Sequence, residues 1–212
     1  MLLPIDRSTH ERVTAALSGA ARDRAVAGWA AFETLEMPSE REEIWRYVHP
    51  GIDLGDFGLV AIPGRALPPV LDLGASASAV NVDGHTVAAK SGSGLTVSAL
   101  AESADHGAAP PSRDRFEALH EAFAADGVLV SVPKGSVVVA PVVVDLHVVT
   151  PGAIAVPRVR IVAGEGSSVA VVVHQRSPDG VAALVVPRFE IEAADAARVH
   201  LTVIQQWGDD TA

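Results

Sequence analysis

The chain lacks cysteine, has few aromatic residues and carries fewer basic than acidic side chains. Without cysteine it offers no disulfide, no thiolate metal ligand and no cysteine nucleophile. Its 16 Lys and Arg stand against 26 Asp and Glu, for a net charge of −10. This balance argues against a nucleic-acid partner and a polybasic membrane anchor, because both require a basic surface.

Long hydrophobic runs are also missing. The valine-rich segment 128–144 is interrupted by two prolines, a lysine and a glycine, so it does not resemble a membrane span. Residues 1–6 have neither the basic region nor the long apolar region of a signal peptide. These observations favour a cytoplasmic protein with no membrane partner.

The most informative feature present is a thirty-residue repeat. Residues 157–175 read as a strand, a tight turn and a second strand, and residues 187–205 repeat that pattern with proline, arginine, isoleucine, valines and glutamine in register. A fixed period of this size is typical of stacked structural units. No helix separates these strands, so the pattern favours a two-sheet parallel β-helix with coils of about thirty residues over a βαβ fold. An antiparallel β-sandwich is the alternative fold.

The rest of the chain divides by composition into further segments. Residues 1–50 show two capping signatures, Ser8 with Glu11 and Ser39 with Glu42, and predict α-helices. Residues 51–113 predict irregular structure with a hairpin around Asp83-Gly84. Residues 114–127 predict a helix that is capped by Asp114, stops at Asp126-Gly127 and leads into strands over 128–212. Shifting 127–143 by thirty aligns Val139 with Val169, which predicts a third, weaker coil. The predicted fold is mainly β, preceded by helices.

The histidines do not form an obvious metal site. In the repeat, His174 points away from Val169, Val171 and Val173, and the register places His174 and His200 about 13 Å apart at roughly 3.3 Å per residue. That separation is too large for one zinc ion. His147 follows Asp145 by two positions, which allows a two-ligand site, but a solvated strand face is the favoured interpretation. We therefore predict no catalytic, cofactor-binding or metal residue.

The densest group of charged and aromatic residues lies at 40–47. The structural interpretation is a solvated helix that ends near His49-Pro50 with Trp45 packed inward. Its functional interpretation is a partner-docking surface, because Trp, Tyr and Arg dominate interface hot spots. The candidate docking residues are Arg41, Trp45, Arg46 and Tyr47.

Several of these segments resemble a known family. Residues 38–47 (PSEREEIWRY), 116–123 followed by Gly127-Val128, and the 132–135 (VPKG) and 162–167 (VAGEGS) segments are similar in order and spacing to SufD, in the SufB/SufD family of the Suf iron–sulfur cluster assembly machinery. The resemblance implies a right-handed parallel β-helix and a non-catalytic scaffold. It implies partnership with a SufB-like subunit and a SufC-like ATPase, with an iron–sulfur cluster assembled by the full complex and none bound by this chain alone.

The chain is near half the length that the resemblance implies, so we expect it to be the N-terminal half, with the SufC-binding region and the interface histidine beyond it. A β-helix that stops here would leave its last strand unpaired. We therefore predict self-association, such as a homodimer, through the last strand, with these candidate residues: Val199, Leu201, Val203 and Trp207. The rival functions are a β-helix enzyme (an acyltransferase or a carbohydrate-active enzyme) and a self-associating structural module.

Overall fold

The computed structural model describes residues 1–47 and 51–212 and shows a mixed α/β protein. The N-terminal part holds β1 (Leu2–Leu3), α1 (Arg7–Ala15) and α2 (Gly19–Thr34), followed by 3₁₀ turns at Glu43–Trp45 and Leu54–Asp56. The predicted end of a helix at His49-Pro50 lies outside the described residues. None of the described helices is long and apolar enough to cross a membrane.

The N-terminal helices differ in detail from the sequence prediction. Asp6, rather than Ser8, caps α1, because its carboxylate accepts a hydrogen bond from the Thr9 amide at 2.7 Å. The helix expected after Ser39 is only a 3₁₀ turn, although the Ser39 amide does bond to the Glu42 side chain.

The middle of the chain supplies the first strands and a third helix. They are β2 (Gly58–Val60), β3 (Ala77–Val82), β4 (His85–Lys90), β5 (Thr96–Ala99), a 3₁₀ turn at Leu100–Glu102, and α3 (Arg115–Phe123). The predicted hairpin is confirmed, since β3 pairs antiparallel with β4 and both Asp83 and Gly84 have positive φ. The Asp114 cap is also confirmed, whereas Gly127 is the first residue of a strand instead of a helix stop. Residues 61–76, which we call the strap, have no regular structure.

The C-terminal part is a succession of strands. They are β6 (Gly127–Val132), β7 (Val142–His147), β8 (Ala153–Ala155), β9 (Arg158–Ala163), β10 (Ser168–Arg176), β11 (Leu184–Val185), β12 (Arg188–Ala193) and β13 (Arg198–Gln206). The strand predicted at 136–140 is absent, and Val139 is 93% exposed in its place.

Three sheets organise these strands, where the sequence predicted two. Their orders are β13-β10-β7-β3-β4, β12-β9-β6-β5 and β1-β2-β8-β11. The third sheet forms because the short corner strands β2 and β11 each pair in parallel with β8, which lies between them. In the two larger sheets, β13 pairs with β10 and β12 with β9, each in parallel and each thirty positions on. The repeat is therefore a pair of layers in register.

The weaker coil is present, but its predicted alignment is wrong. Gly127 pairs with Arg158, thirty-one positions on, while Val142 pairs with Val171, twenty-nine positions on. The two extra residues are absorbed by the exposed arch between β6 and β7. Val139 therefore lies in this arch and does not stack on Val169.

The main core lies between the two larger sheets. It consists almost wholly of inward-facing valines with some Ala, Leu and Ile. Each fully buried side chain of this size contributes about 1.5–3 kcal/mol through the hydrophobic effect. A second cluster holds most of the aromatic residues, with Trp29, Phe32, Phe116 and Phe123 packing α2 and α3 against the corner strands.

Candidate functional site

Four polar side chains lie together on the outer face of β7 and β10. The parallel register places His174 beside Asp145 and Arg176 beside His147, while the alternate positions fill the core. Nδ1 of His174 is 3.3 Å from Oδ1 of Asp145, and Nη2 of Arg176 is 2.9 Å from Nε2 of His147. We call these four residues the outer-face cluster.

The outer-face cluster is buried, so the prediction of a solvated strand face is wrong. His174 is 0% and His147 2% exposed. The strap passes over this face, where the Leu67 amide donates to Nδ1 of His147 at 3.1 Å and Arg176 donates to the Pro68 carbonyl at 2.8 Å. Alternation in the sequence identified the face, but not the segment that covers it.

The charges in the cluster suit ion pairing better than metal binding. Burial alone would raise the pKa of Asp145, but its interaction with His147 and the charges of Arg176 and His174 lower that pKa below its ordinary value. The Arg176 guanidinium lies 3.9 Å from Oδ1 of Asp145, where it would repel a cation. Across residues 1–47 and 51–212, no group of three His, Cys, Asp or Glu side chains could hold a metal ion.

A second buried network joins the helices to the last strand of the second sheet. Arg24 of α2 binds both carboxylate oxygens of Glu121 in α3, at 2.9 and 3.0 Å, and reaches Glu190 of β12 at 2.5 Å. Arg188 of β12 also donates to Glu121, at 2.7 Å. Burial opposes ionisation of Glu121, but its interaction with His120, 3.8 Å away, together with the hydrogen bonds and charge of Arg24, lowers its pKa to about 2.

The same network continues onto β9. Arg160 pairs with Glu192 at 2.7 Å, which links two neighbouring layers. Arg158 is 2% exposed, and its Nη2 lies 3.2 Å from Nδ1 of His106. Burial, followed by the like charge of Arg24, lowers the pKa of Arg158 to about 10. These arginines hold structure together and offer no exposed reactive group.

The predicted docking residues divide by exposure. Trp45 is half-buried, with its ring 5.8 Å from that of Phe116. Tyr47 is 89% exposed, and Arg41 and Arg46 are also exposed. The structure thus leaves one aromatic and two cationic side chains accessible at this surface, and their docking role stays a prediction.

The predicted self-association strand lies at an edge. β13 pairs with β10 on one side and is the terminal strand of its sheet. Val199 and Leu201 are half-buried and pack against the core, whereas Val203 is 39% exposed. Trp207 turns back to pack against the small cluster around β8 and β11. Self-association through this edge also stays a prediction.

A cavity of about 280 Å³ lies between β1, β2, the hairpin turn and the end of α3. It is the place to look for a catalytic acid or base, since Asp83, Asp126 and His85 line it. Both oxygens of Asp83 and of Asp126 accept backbone N–H bonds, and Nε2 of His85 is 2.7 Å from the Val60 carbonyl. Its acids therefore serve the fold, which weakens the rival enzyme interpretation.

The stacked strands lie in a segment that matches the sequence model of a protein family. Residues 147–212 match the model of the SufBD core domain, described as SUF system FeS cluster assembly. The matched segment is about a third of the chain and contains the strands β8 to β13 of the repeat. No curated protein matches the chain.

The match supports a relation to the SufB/SufD family and a part in iron–sulfur cluster assembly. The matched segment includes His147, His174 and Arg176 of the outer-face cluster. The three α-helices lie outside it, and with them Glu121 of α3. The match therefore concerns the stacked strands and leaves the function of the helical surface to be tested.

The buried arginine network escaped the sequence prediction. One signal was available: Arg158, Arg160, Arg188 and Glu190 occupy outward positions on strands aligned by the repeat. Charges at such positions commonly face solvent. Only the docking of α2 and α3 onto this face, through Arg24 and residues far away in the chain, shows that Arg158 and Arg160 are buried and that Arg188 and Glu190 are half-buried.

Proposed function

We propose that this protein is a SufD-like, non-catalytic scaffold subunit that acts in iron–sulfur cluster assembly together with a SufB-like and a SufC-like subunit. The observation that carries the proposal is the match of residues 147–212 to the SufBD core domain, over strands that stack in thirty-residue register. The SufD assignment, and the right-handed parallel β-helix that it implies, rest on the resemblance of the segments at 38–47 and 116–135.

A scaffold role also agrees with where the polar residues are. The buried charges of the outer-face cluster and of the arginine network are used in ion pairs between elements. The accessible Tyr47, Arg41 and Arg46 give a surface of the composition that protein interfaces favour. We propose that this surface docks a partner subunit, and that clusters are assembled by the complex.

Co-expression with SufB-like and SufC-like proteins tests this function. We expect a tagged chain to retain the SufB-like subunit at near-equal stoichiometry after gel filtration, and the complex to carry more iron and sulfide than the chain alone. If the SufB-like subunit elutes alone at micromolar concentrations of both, the scaffold proposal fails.

Single substitutions test the docking surface separately. Tyr47→Ala should weaken partner retention at least tenfold without altering stability, because Tyr47 is exposed. Val26→Ala, which shortens an exposed apolar side chain on α2, is the matched control and should leave retention unchanged. Equal retention by both variants would remove the docking role and leave the scaffold proposal standing.

A self-associating module is a second candidate, favoured by the unpaired edge of β13 and the 39% exposure of Val203. We expect dimers of the isolated chain by light scattering at high concentration, and monomers for Val203→Lys. Val87→Lys, on the exposed strand β4, should still dimerise. A wild-type chain that stays monomeric at every concentration would contradict this candidate.

A further inference from the structure

The strap has no regular structure, and hydrogen bonds hold it onto the sheet. The Gly64 amide donates to Asp83 at 3.0 Å, and the Leu67 amide and Pro68 carbonyl contact the outer-face cluster as described. Its apolar side chains Ile62 and Val70 are 76% and 61% exposed. Because packing holds this segment weakly, its position depends on the hydrogen bonds beneath it.

His147 lies between two groups that can only donate. Leu67 presents a backbone N–H to Nδ1, and Arg176 presents a guanidinium N–H to Nε2. Neither group can accept a hydrogen bond. A neutral ring has one bare nitrogen, so it can accept from only one of these donors; the strap contact uses a bare Nδ1 and leaves the single ring proton on Nε2, opposed to Arg176. That proton lies towards Oδ1 of Asp145, 3.8 Å away, and against Arg176.

A second ring proton would favour a different arrangement. It would turn Nδ1 from an acceptor into a donor opposed to the Leu67 amide, and the ring charge would repel Arg176. Asp145 would gain, because its Oδ1 is buried and has no hydrogen-bond partner. The second proton thus strengthens the ring's attraction to the sheet and breaks its contact with the strap.

The other groups around His147 do not substitute for it. On β10 the neighbouring titratable group is His174, which lies 3.3 Å from Asp145, and its Nε2 contacts Gln206 of β13. On β3 the residue beside His147 is Val82, which carries no charge. From the strap, Arg65 is exposed. Asp83, at the hairpin turn, already accepts several hydrogen bonds, including that of Gly64.

We propose that the strap is a proton-controlled latch. Neutral His147 accepts the Leu67 amide and, with Arg176 on Pro68, holds residues 61–76 over the sheet. Binding of a proton from solvent at Nδ1 releases the strap and exposes the outer-face cluster. Because an imidazole ring exchanges its second proton with solvent, the latch responds to the pH of the solution.

Hydrogen exchange at single residues tests the latch. We expect the protection factor of the Leu67 amide, corrected for intrinsic exchange, to fall at least tenfold between pH 8.0 and pH 5.5. The Val171 amide, in the middle of the core, should keep its protection. His147→Gln retains an acceptor that does not titrate, so its Leu67 amide should be protected equally at both pH values. His200→Gln, on β13, is the matched control and should behave as the wild type.

Two results would overturn the proposal. One is equal protection of the wild-type Leu67 amide at both pH values, and the other is an unchanged pH response in His147→Gln, which would move the titration to another group. If His147→Gln does not fold, tryptic cleavage of the wild type decides. Cleavage after Arg65, relative to cleavage after exposed Arg41 at each pH, should rise as the pH falls. A constant ratio refutes the latch.

Discussion

Removing the charge of Glu121 should cost more stability than any other single carboxylate substitution proposed here. Glu121 is 4% exposed and contacts Arg24 twice and Arg188 once. Glu121→Gln keeps the size and one acceptor oxygen, but removes the buried anion between Arg24 and Arg188, which then share only the half-buried Glu190. Breaking a buried pair from one side typically costs about 3–5 kcal/mol.

The pKa gives a second route to the same magnitude. The pKa of Glu121 is lowered from 4.5 to about 2 in the folded chain. At about 1.36 kcal/mol per pH unit, this corresponds to about 3 kcal/mol of stabilisation. Because the folded-state pKa is the lower one, this stabilisation is fully present above pH 4.5 and is lost as the pH falls towards 2.

Urea denaturation at several pH values measures this effect. We expect Glu121→Gln to lower the free energy of unfolding by about 3 kcal/mol at pH 7 with a similar m-value, and the difference from wild type to shrink between pH 4.5 and 2. Glu165→Gln is the matched control, since Glu165 and Lys134 form an exposed pair, and it should cost no more than about 1 kcal/mol. A loss below 1 kcal/mol for Glu121→Gln, or one that does not depend on pH, would refute the reasoning.

Three further substitutions probe packing, each by the free energy of unfolding. Gln175→Leu should raise the free energy of unfolding by about 1 kcal/mol, because Gln175 is 0% exposed and its amide nitrogen is unpaired. A destabilised variant would show that this amide is hydrogen-bonded. Gly28→Ala should lower the free energy of unfolding by about 2 kcal/mol or more, because the new Cβ would lie 2.5 Å from the Ala122 amide nitrogen. This loss should exceed the gain from the better helix propensity of alanine. A neutral result would mean that α2 and α3 can separate freely. Trp45→Ala should lower the free energy of unfolding by about 3 kcal/mol, because the contact with Phe116 is lost. Tyr47→Ala should change it by less than 0.5 kcal/mol. Similar losses in both variants would contradict the difference in exposure between Trp45 and Tyr47.

The repeat could be predicted because its signals agree with one another. Arginine, isoleucine and the turn recur at one spacing, and this fixes both the strands and their register, as the pairing of His174 with Ile204 shows. The preceding coil could not be aligned in the same way. Its sequence from Val137 to Val144 is nearly all valine, so a shift of one position leaves the pattern almost unchanged, and only contacts in three dimensions decide the register.

Burial of the polar clusters could not be predicted from the sequence for a different reason. Alternation along β9 or β10 assigns a residue to a face of the sheet, but does not show what covers that face. Arg176 lies beneath the strap, which comes from a proline-rich segment about a hundred residues earlier. Arg158 is buried by helices whose contacts depend on Arg24. Such long-range docking leaves no periodic trace in either segment.

The two ends of the stack of strands differ, and the difference bears on how the chain folds during synthesis. At the end made first, antiparallel strands β4 and β5 close the two larger sheets. Every later layer then adds in parallel to an edge that already exists. Because synthesis proceeds from the N-terminus, each emerging coil meets a finished template within about thirty residues. The stacked layers from β9 to β13 can therefore be completed in the order in which their residues leave the ribosome, whereas the corner strand β2 has to wait for β8, about ninety-five residues later.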